Sequence, residues 1–380
     1  MKFKRAFLLL IAIFQFCYPN SSQGSSIEES GVNQKAIIHF QEPNFPYPYD
    51  QEDVIFHNSN VALAGTLTLP RSIGPFPAVI LLHGSAPFDR DVSMFGHKLF
   101  LVWADNLTKQ GIAVLRFDKR GAGQSTGDYN SSSLEDFADD ALAGVEYLKT
   151  RKEINHKQIG LIGHSEGGMT ALVTSLKSKD IAYIILMASP CVNWEELVLK
   201  QEESLMRVDG ISEEFITESL KFRKRLFTIL KKEKNREIAE PELREVFEKY
   251  FDQLSSTERQ IAETYYGPLE AQIQFFNSVW FRNNFVFEPI GILKKIEMPI
   301  LALNGELDLV VSPKQNLSKI AKTLDEANHK DHAILEMPQL NHAFQTCKTG
   351  SVKECAEIGE TTAPLVLDIM SDWILKKTTK

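Results

Sequence analysis

The residues in this chain best suited to chemistry lie in Ile159-Gly160-Leu161-Ile162-Gly163-His164-Ser165-Glu166-Gly167-Gly168. The segment fits G-x-S-x-G, with an apolar run before the serine and a helix-length amphipathic segment after it. That is the setting in which the motif makes a sharp strand-to-helix turn. Gly163 and Gly167 remove side chains that would clash in so tight a turn. Ser165 then projects beside the amides and positive dipole of a helix N-terminus. A serine hydroxyl is a weak nucleophile at neutral pH and needs a general base. The motif therefore predicts nucleophilic acyl chemistry at Ser165, with a histidine and an acid supplied from further along the chain.

The base is expected after the last strand if the order is serine, acid, histidine. His342 sits there, in Met337-Pro338-Gln339-Leu340-Asn341-His342-Ala343-Phe344, just past an apolar run ending at Leu335. His329 and His332 precede or open that run and would point away from its carboxyl end. The acid is expected after the preceding strand, where Leu301-Ala302-Leu303-Asn304-Gly305-Glu306-Leu307-Asp308 offers two carboxylates. Asp308 fits better, because Gly305 makes the turn and the acid then reaches the histidine from the loop; Glu306 is the alternative. Such an acid holds the imidazole in the right tautomer and stabilises the imidazolium. A tetrahedral intermediate also needs donors for its oxyanion. The amide of Glu166 is one candidate. The amide of Ser85, in His83-Gly84-Ser85-Ala86-Pro87, is the other, with His83 as a support for that loop.

Three further groups have two readings each. Asp89-Arg90-Asp91 is either a local salt-bridge cluster or a place where Arg90 meets a substrate carboxylate. Asp118 and Arg120 read as an ion-paired lock on their turn rather than as chemistry. Trp280, Phe281 and Phe285 either line an acyl pocket or pack one part of the molecule on another.

These loops need a scaffold, and short, nearly continuous apolar runs supply one. They cover Ala78 to Leu82, Ile112 to Phe117, Ile159 to Ile162, Ile184 to Met187, Ile300 to Leu303 and Ala333 to Leu335. Amphipathic segments of helix length separate several of them, at Leu99 to Lys109, Leu134 to Thr150, Gly168 to Lys177 and Gln315 to Ala327. Continuous apolar strands alternating with helices predict a mostly parallel sheet covered on both faces. Alternation around Asn58-Ser59-Asn60, from Val54 to Leu69, predicts a hairpin at the antiparallel edge of that sheet. The rhythm breaks over residues 191–290, where charged amphipathic segments at Glu195 to Val208, Glu213 to Lys232 and Glu240 to Leu254 predict a helical cap over the strand ends. The core is then 53–190 and 291–380.

The set Leu82-His83-Gly84-Ser85, Arg116 to Ser125, Gly163 to Gly168, Gly305 to Asp308 and Asn341-His342 resembles the α/β-hydrolase superfamily. Within it the chain looks like the bacterial serine aminopeptidase-like and dienelactone-hydrolase-like esterases, over residues 55–190 and 290–375. The resemblance implies an α/β-hydrolase fold and a hydrolase acting on an acyl bond of a small-molecule substrate, without a cofactor. A serine esterase working through an acyl-enzyme is the leading expectation. An aminopeptidase-like amide hydrolase or a thioesterase is the alternative. A silent binding protein ranks last, since all three triad candidates are present.

Composition sets the outer bounds. The chain has 380 residues, 43% hydrophobic and 24% charged, with a formal net charge of -8. This balance argues against a nucleic-acid-binding surface, and no cysteine or histidine spacing suggests a metal site. Lys2, Lys4 and Arg5 precede an apolar run, Ala6 to Phe16, too short to span a bilayer comfortably but suited to a signal-peptide core. Residues 1–24 thus read as a signal peptide cleaved after Gly24, giving an exported protein with no stable membrane span; a lipid anchor at Cys17 is the lesser alternative. Residues 25–52 read as a polar leader. Export leaves a bridge between Cys347 and Cys355 open, with Cys191 free, and the oligomeric state is undetermined.

Overall fold

A computed structural model describes residues 40–379. The proposed signal peptide, Cys17 and the first part of the leader lie outside the described residues. The chain enters as a strap: the Gln41 side-chain oxygen accepts hydrogen bonds from the amides of Thr361 and Thr362. Strand β1 (Asp50–Asn58) begins inside the stretch expected to be leader and turns into β2 (Val61–Leu69). After β3 (Phe76–Leu82), a small hairpin of β4 (Ser93–Met94) and β5 (His97–Lys98) leads into α1 (Leu99–Lys109). The core continues through β6 (Ala113–Phe117), α2 (Leu134–Lys149), β7 (Ile154–His164), α3 (Glu166–Lys177) and β8 (Ile181–Met187).

Seven helices then follow without a strand: α4 (Trp194–Val208), α5 (Glu213–Lys232), α6 (Arg236–Gln253), α7 (Ser256–Tyr266), α8 (Leu269–Phe276), α9 (Val279–Phe285) and α10 (Pro289–Leu293). The core resumes with β9 (Ile300–Gly305), α11 (Pro313–Glu326), β10 (His332–Met337), α12 (Val352–Cys355) and α13 (Pro364–Thr378).

Eight strands form one sheet in the order β1-β2-β6-β3-β7-β8-β9-β10. The β1-β2 and β2-β6 pairings are antiparallel and the rest are parallel. Because successive residues of a strand face opposite ways, β3 serves two cores. Ala78, Ile80 and Leu82 point towards α2, α3 and α11, while Val79 and Leu81 point towards α1 and α13. Burial on both faces explains why these strands read as unbroken apolar runs. A third apolar cluster fills the inserted helices and rests on α2 and α3 through Phe137, Met169 and Val173.

The inserted helices extend the three expected from the sequence. Pro241 and the acidic run around it point to a helix start near Glu240, yet α6 begins at Arg236, where the Asn235 side chain accepts the amides of Glu237 and Ile238. A strong N-cap therefore outweighs one lost backbone bond beside the exposed Pro241. The later helices of the insertion, α7 to α10, have 5 to 11 residues each and were not expected from the sequence.

Candidate active site

Ser165 stands between β7 and α3 with φ 55 and ψ -123, a left-handed-side conformation that costs a non-glycine residue of order 1–3 kcal/mol. Its surroundings hold it there. The Ser165 amide donates to the Met187 carbonyl at 2.8 Å, and the Gly168 amide donates to the Ser165 carbonyl at 3.0 Å. The flanking glycines are obligatory for steric reasons: a Cβ on Gly163 would lie 2.2 Å from the Gly167 oxygen, and one on Gly167 would lie 2.0 Å from the Leu82 oxygen.

His342 follows β10, and Asp308 follows β9. His342 Nδ1 lies 2.8 Å from Asp308 Oδ2. The Asp308 side chain is fully buried, and three donors fix it. The amides of Val310 and Val311 reach Oδ1 at 2.8 Å each, and Asn304 Nδ2 reaches Oδ2 at 2.9 Å. Since the carboxylate can only accept, Nδ1 carries the proton and Nε2 is left as the basic nitrogen. Glu306 is exposed and accepts from the Gln339 amide instead. His329 Nε2 lies 3.1 Å from the Met298 carbonyl at the opposite end of the sheet, and His332 pairs with Asp325.

Ser165, His342 and Ser85 meet as walls of one cavity, which extends past Met94, Phe95 and Cys355. Among the described residues no hydrogen bond joins Ser165 Oγ to His342, although both line this cavity. A second cavity is also lined by Ser165 and Ser85 and runs under the inserted helices, past Trp194, Leu197 and Phe281. Glu166 is the first residue of α3, so its amide has no intrahelical acceptor. The Ser85 amide takes no part in the backbone hydrogen bonds of its loop.

Other expected contacts fall elsewhere. Arg90 does not line either cavity. Its Nε and Nη2 grip Asp118 at 3.1 and 2.9 Å, and Nη1 donates to the Gly65 carbonyl at 2.8 Å, so its donors are consumed in the fold. This corrects the substrate-contact reading and favours the salt-bridge cluster. Arg120 pairs with Asp140 rather than Asp118. Phe281 lines the second cavity, but Trp280 and Phe285 do not. Trp280 turns its indole N–H to Glu166, and Phe285 packs on Phe227 and Phe281 inside the insertion. Cys347 and Cys355 are free thiols; burial pushes the Cys355 thiol up to about 12.

Sequence reasoning missed the supports beneath the site. The Glu166 carboxylate is completely buried and accepts from Lys119 Nζ at 2.6 Å, Trp280 Nε1 at 2.6 Å and Asn284 Nδ2 at 3.2 Å. Lys119 also donates to the Gly84 carbonyl at 2.8 Å, tying the Ser85 loop to the serine turn. His164 Nε2 donates to the His342 carbonyl at 3.0 Å. Burial first, and then His342, pushes the His164 pKa down to about 3, so it stays neutral. Burial first, and then Lys119, does the same to His83, also to about 3. Inside a motif, Glu166 and His164 occupy the variable positions, where residue type alone gives no signal.

A mostly parallel sheet with a serine at a strand-to-helix turn, and an aspartate–histidine pair beyond its last two strands, defines an α/β-hydrolase. The chain belongs to the family described as serine aminopeptidase, S33, which matches residues 92–281, half of its length. It is 27% identical to esterase EstD of Thermotoga maritima, over 78% of this chain and 60% of that one. It is 24% identical to a bifunctional esterase/perhydrolase of Acinetobacter calcoaceticus, over 74% of this chain and 91% of that one. An esterase of Pyrococcus furiosus has a similar fold, with a TM-score of 0.52 and 17% identity over 90% of this chain and 97% of that one. Among the described residues, no helix is long and apolar enough to cross a membrane.

Proposed function

We propose that the chain hydrolyses a carboxylic ester of a small molecule through an acyl-enzyme. Ser165 is the nucleophile, His342 the general base, and Asp308 the acid that orients it. The observation that carries this reading is the 2.8 Å contact between His342 Nδ1 and an Asp308 carboxylate that three other donors hold still. His342 Nε2 takes the Ser165 proton as Oγ bonds the acyl carbon. The oxyanion that forms is met by the Ser85 and Glu166 amides. The imidazolium then returns the proton to the leaving oxygen, and a water activated by the same nitrogen releases the acid. Because the proton passes from His342 to the leaving group, the alcohol occupies the cavity that His342 lines. The acyl chain occupies the one under the inserted helices.

The family's description also raises an amide reading. An aminopeptidase must neutralise a free ammonium group, yet among the described residues neither cavity is lined by an aspartate or glutamate. That favours an ester, or the chemically similar thioester. A panel of p-nitrophenyl esters, acyl thioesters and aminoacyl-nitroanilides separates the three, with turnover expected on esters and little on the anilides. Ser165→Ala should abolish turnover and labelling by a fluorophosphonate while the protein stays folded; persistent labelling would move the nucleophile elsewhere. We further propose export by cleavage after Gly24, for which N-terminal sequencing of the protein from its native host is the check; a mature chain that begins at Met1 refutes it.

A further inference from the structure

The cavity under the inserted helices is apolar near Ser165, where Pro190, Leu197 and Val311 form its walls. One residue of its lining is different. Arg223 of α5 lines the cavity while being only 1% exposed. The guanidinium uses one edge internally: Nε donates to Glu202 Oε2 at 2.9 Å, and the other oxygen of Glu202 accepts the Tyr266 hydroxyl. The guanidinium carbon lies 4.7 Å from the ring centre of Tyr266 and 4.8 Å from that of Phe276. Among the described residues Nη1 and Nη2 have no hydrogen-bond partner, although both are buried. The indole N–H of Trp194, another residue lining this cavity, is also buried and has no partner among the described residues.

Buried donors without acceptors are costly, and those on a charged group more so. Here three of them belong to two residues that line one cavity, whose described lining contributes no carboxylate to meet them. An apolar cavity whose lining includes an arginine with two unused terminal N–H groups matches a chain that ends in two coplanar oxygens. Glu202 balances the charge of Arg223 but leaves the terminal nitrogens unused, so it orients the fork without filling it.

We propose that the acyl group of the substrate carries a carboxylate at its far end, bound by Nη1 and Nη2 of Arg223 with the Trp194 N–H beside it. The substrate is then a half-ester of an aliphatic dicarboxylic acid. The assignment of this cavity to the acyl side rests on the ester-hydrolase reading above.

The test compares p-nitrophenyl half-esters of pimelate, suberate and sebacate with the p-nitrophenyl esters of the monoacids of equal length. At the length that spans the cavity, the acid-ended substrate should have the higher kcat/KM, by about tenfold or more. Arg223→Lys keeps the charge but loses the fork, and should lower that ratio about tenfold to hundredfold in a protein whose circular dichroism is unchanged. Should Arg223→Lys fail to fold, calorimetry on the unaltered protein gives the same answer: free sebacate or suberate binds about tenfold or more tighter than the uncharged α,ω-diol of equal length. Absence of acid preference at every length, or an unchanged ratio in folded Arg223→Lys, overturns the proposal. Dicarboxylate binding that Arg223→Lys weakens, without turnover of any ester, upholds the subsite and sinks the ester-hydrolase reading instead.

Discussion

His342 can act as a base at Nε2 only while Nδ1 keeps its proton, and at 2.8 Å Asp308 is the acceptor that keeps it there. In the proposed mechanism, Asp308→Asn turns an amide towards that nitrogen, disfavours the required tautomer and should lower kcat by about four orders of magnitude. Glu306→Gln should cost little, because Glu306 is exposed and accepts from the Gln339 amide rather than from His342. Steady-state kinetics on one p-nitrophenyl ester ranks the two, and the reverse ranking would move the acid. His83 and His164 carry a second consequence. Their folded pKa values are lowered from 6.5 to about 3, so each stays unprotonated in the fold while the unfolded chain binds a proton near pH 6.5. Between those values the unfolded state holds more protons, so stability rises with pH. Urea titrations should therefore give roughly 2 kcal/mol less stability per histidine at about pH 5 than at about pH 7. A flat profile would mean that the two rings are protonated or solvated. Ser165, Asp308 and His342 were legible because position along the chain and flanking apolar runs constrain them. Arg223 and Lys119 were not, since a basic residue in a charged amphipathic segment is ordinarily solvent-facing and nothing local marks a buried one.

At the scale of elements, the serine turn and the Ser85 loop are held by one ion pair. Lys119 Nζ touches Glu166 at 2.6 Å and the Gly84 carbonyl at 2.8 Å, and both side chains are almost wholly buried. Burial pushes the Lys119 pKa down and the neighbouring Glu166 opposes the shift, so the charged state depends on the pair staying intact. Removing one partner leaves an uncompensated charge in the interior. Lys119→Met should then cost about 3–5 kcal/mol, and adding Glu166→Gln should recover part of that loss, as a double-mutant cycle in urea can measure. Additive losses would show the two residues to be energetically independent. The sheet itself was readable from sequence because strands buried on both faces carry few polar residues. Helix ends set by tertiary contact, such as the start of α6, were less so. Aromatic residues near 280 signalled an apolar surface, but the sequence could not say which ring faces the cavity, which faces Glu166 and which faces its own neighbours.

Across the whole molecule, the inserted helices stand over the carboxyl ends of the strands, where open α/β sheets bind their ligands. Their apolar cluster does two jobs at once, packing the insertion on α2 and α3 and walling the cavity beside Ser165. Phe281 and Phe285 separate these jobs. Their rings are stacked with centres 6.1 Å apart, and both contact Phe227, but only Phe281 lines the cavity. Phenylalanine to leucine at either site removes ring volume from a packed cluster, and each change should lower stability by about 1–3 kcal/mol. Only at Phe281 does the vacated volume enlarge the space for an acyl chain. One methylene in an apolar pocket discriminates substrates by about 1–3 kcal/mol, or roughly tenfold to two-hundredfold. Phe281→Leu should therefore move the preferred acyl length of a p-nitrophenyl ester series upward, with the kcat/KM ratio of long to short esters rising about tenfold. Phe285→Leu should leave that ratio in place while lowering the melting temperature by a similar amount. An equal shift in both variants would mean that the insertion loosens as a body and that acyl length is set by its mobility, whereas no shift in Phe281→Leu would place the acyl chain in the cavity that His342 lines.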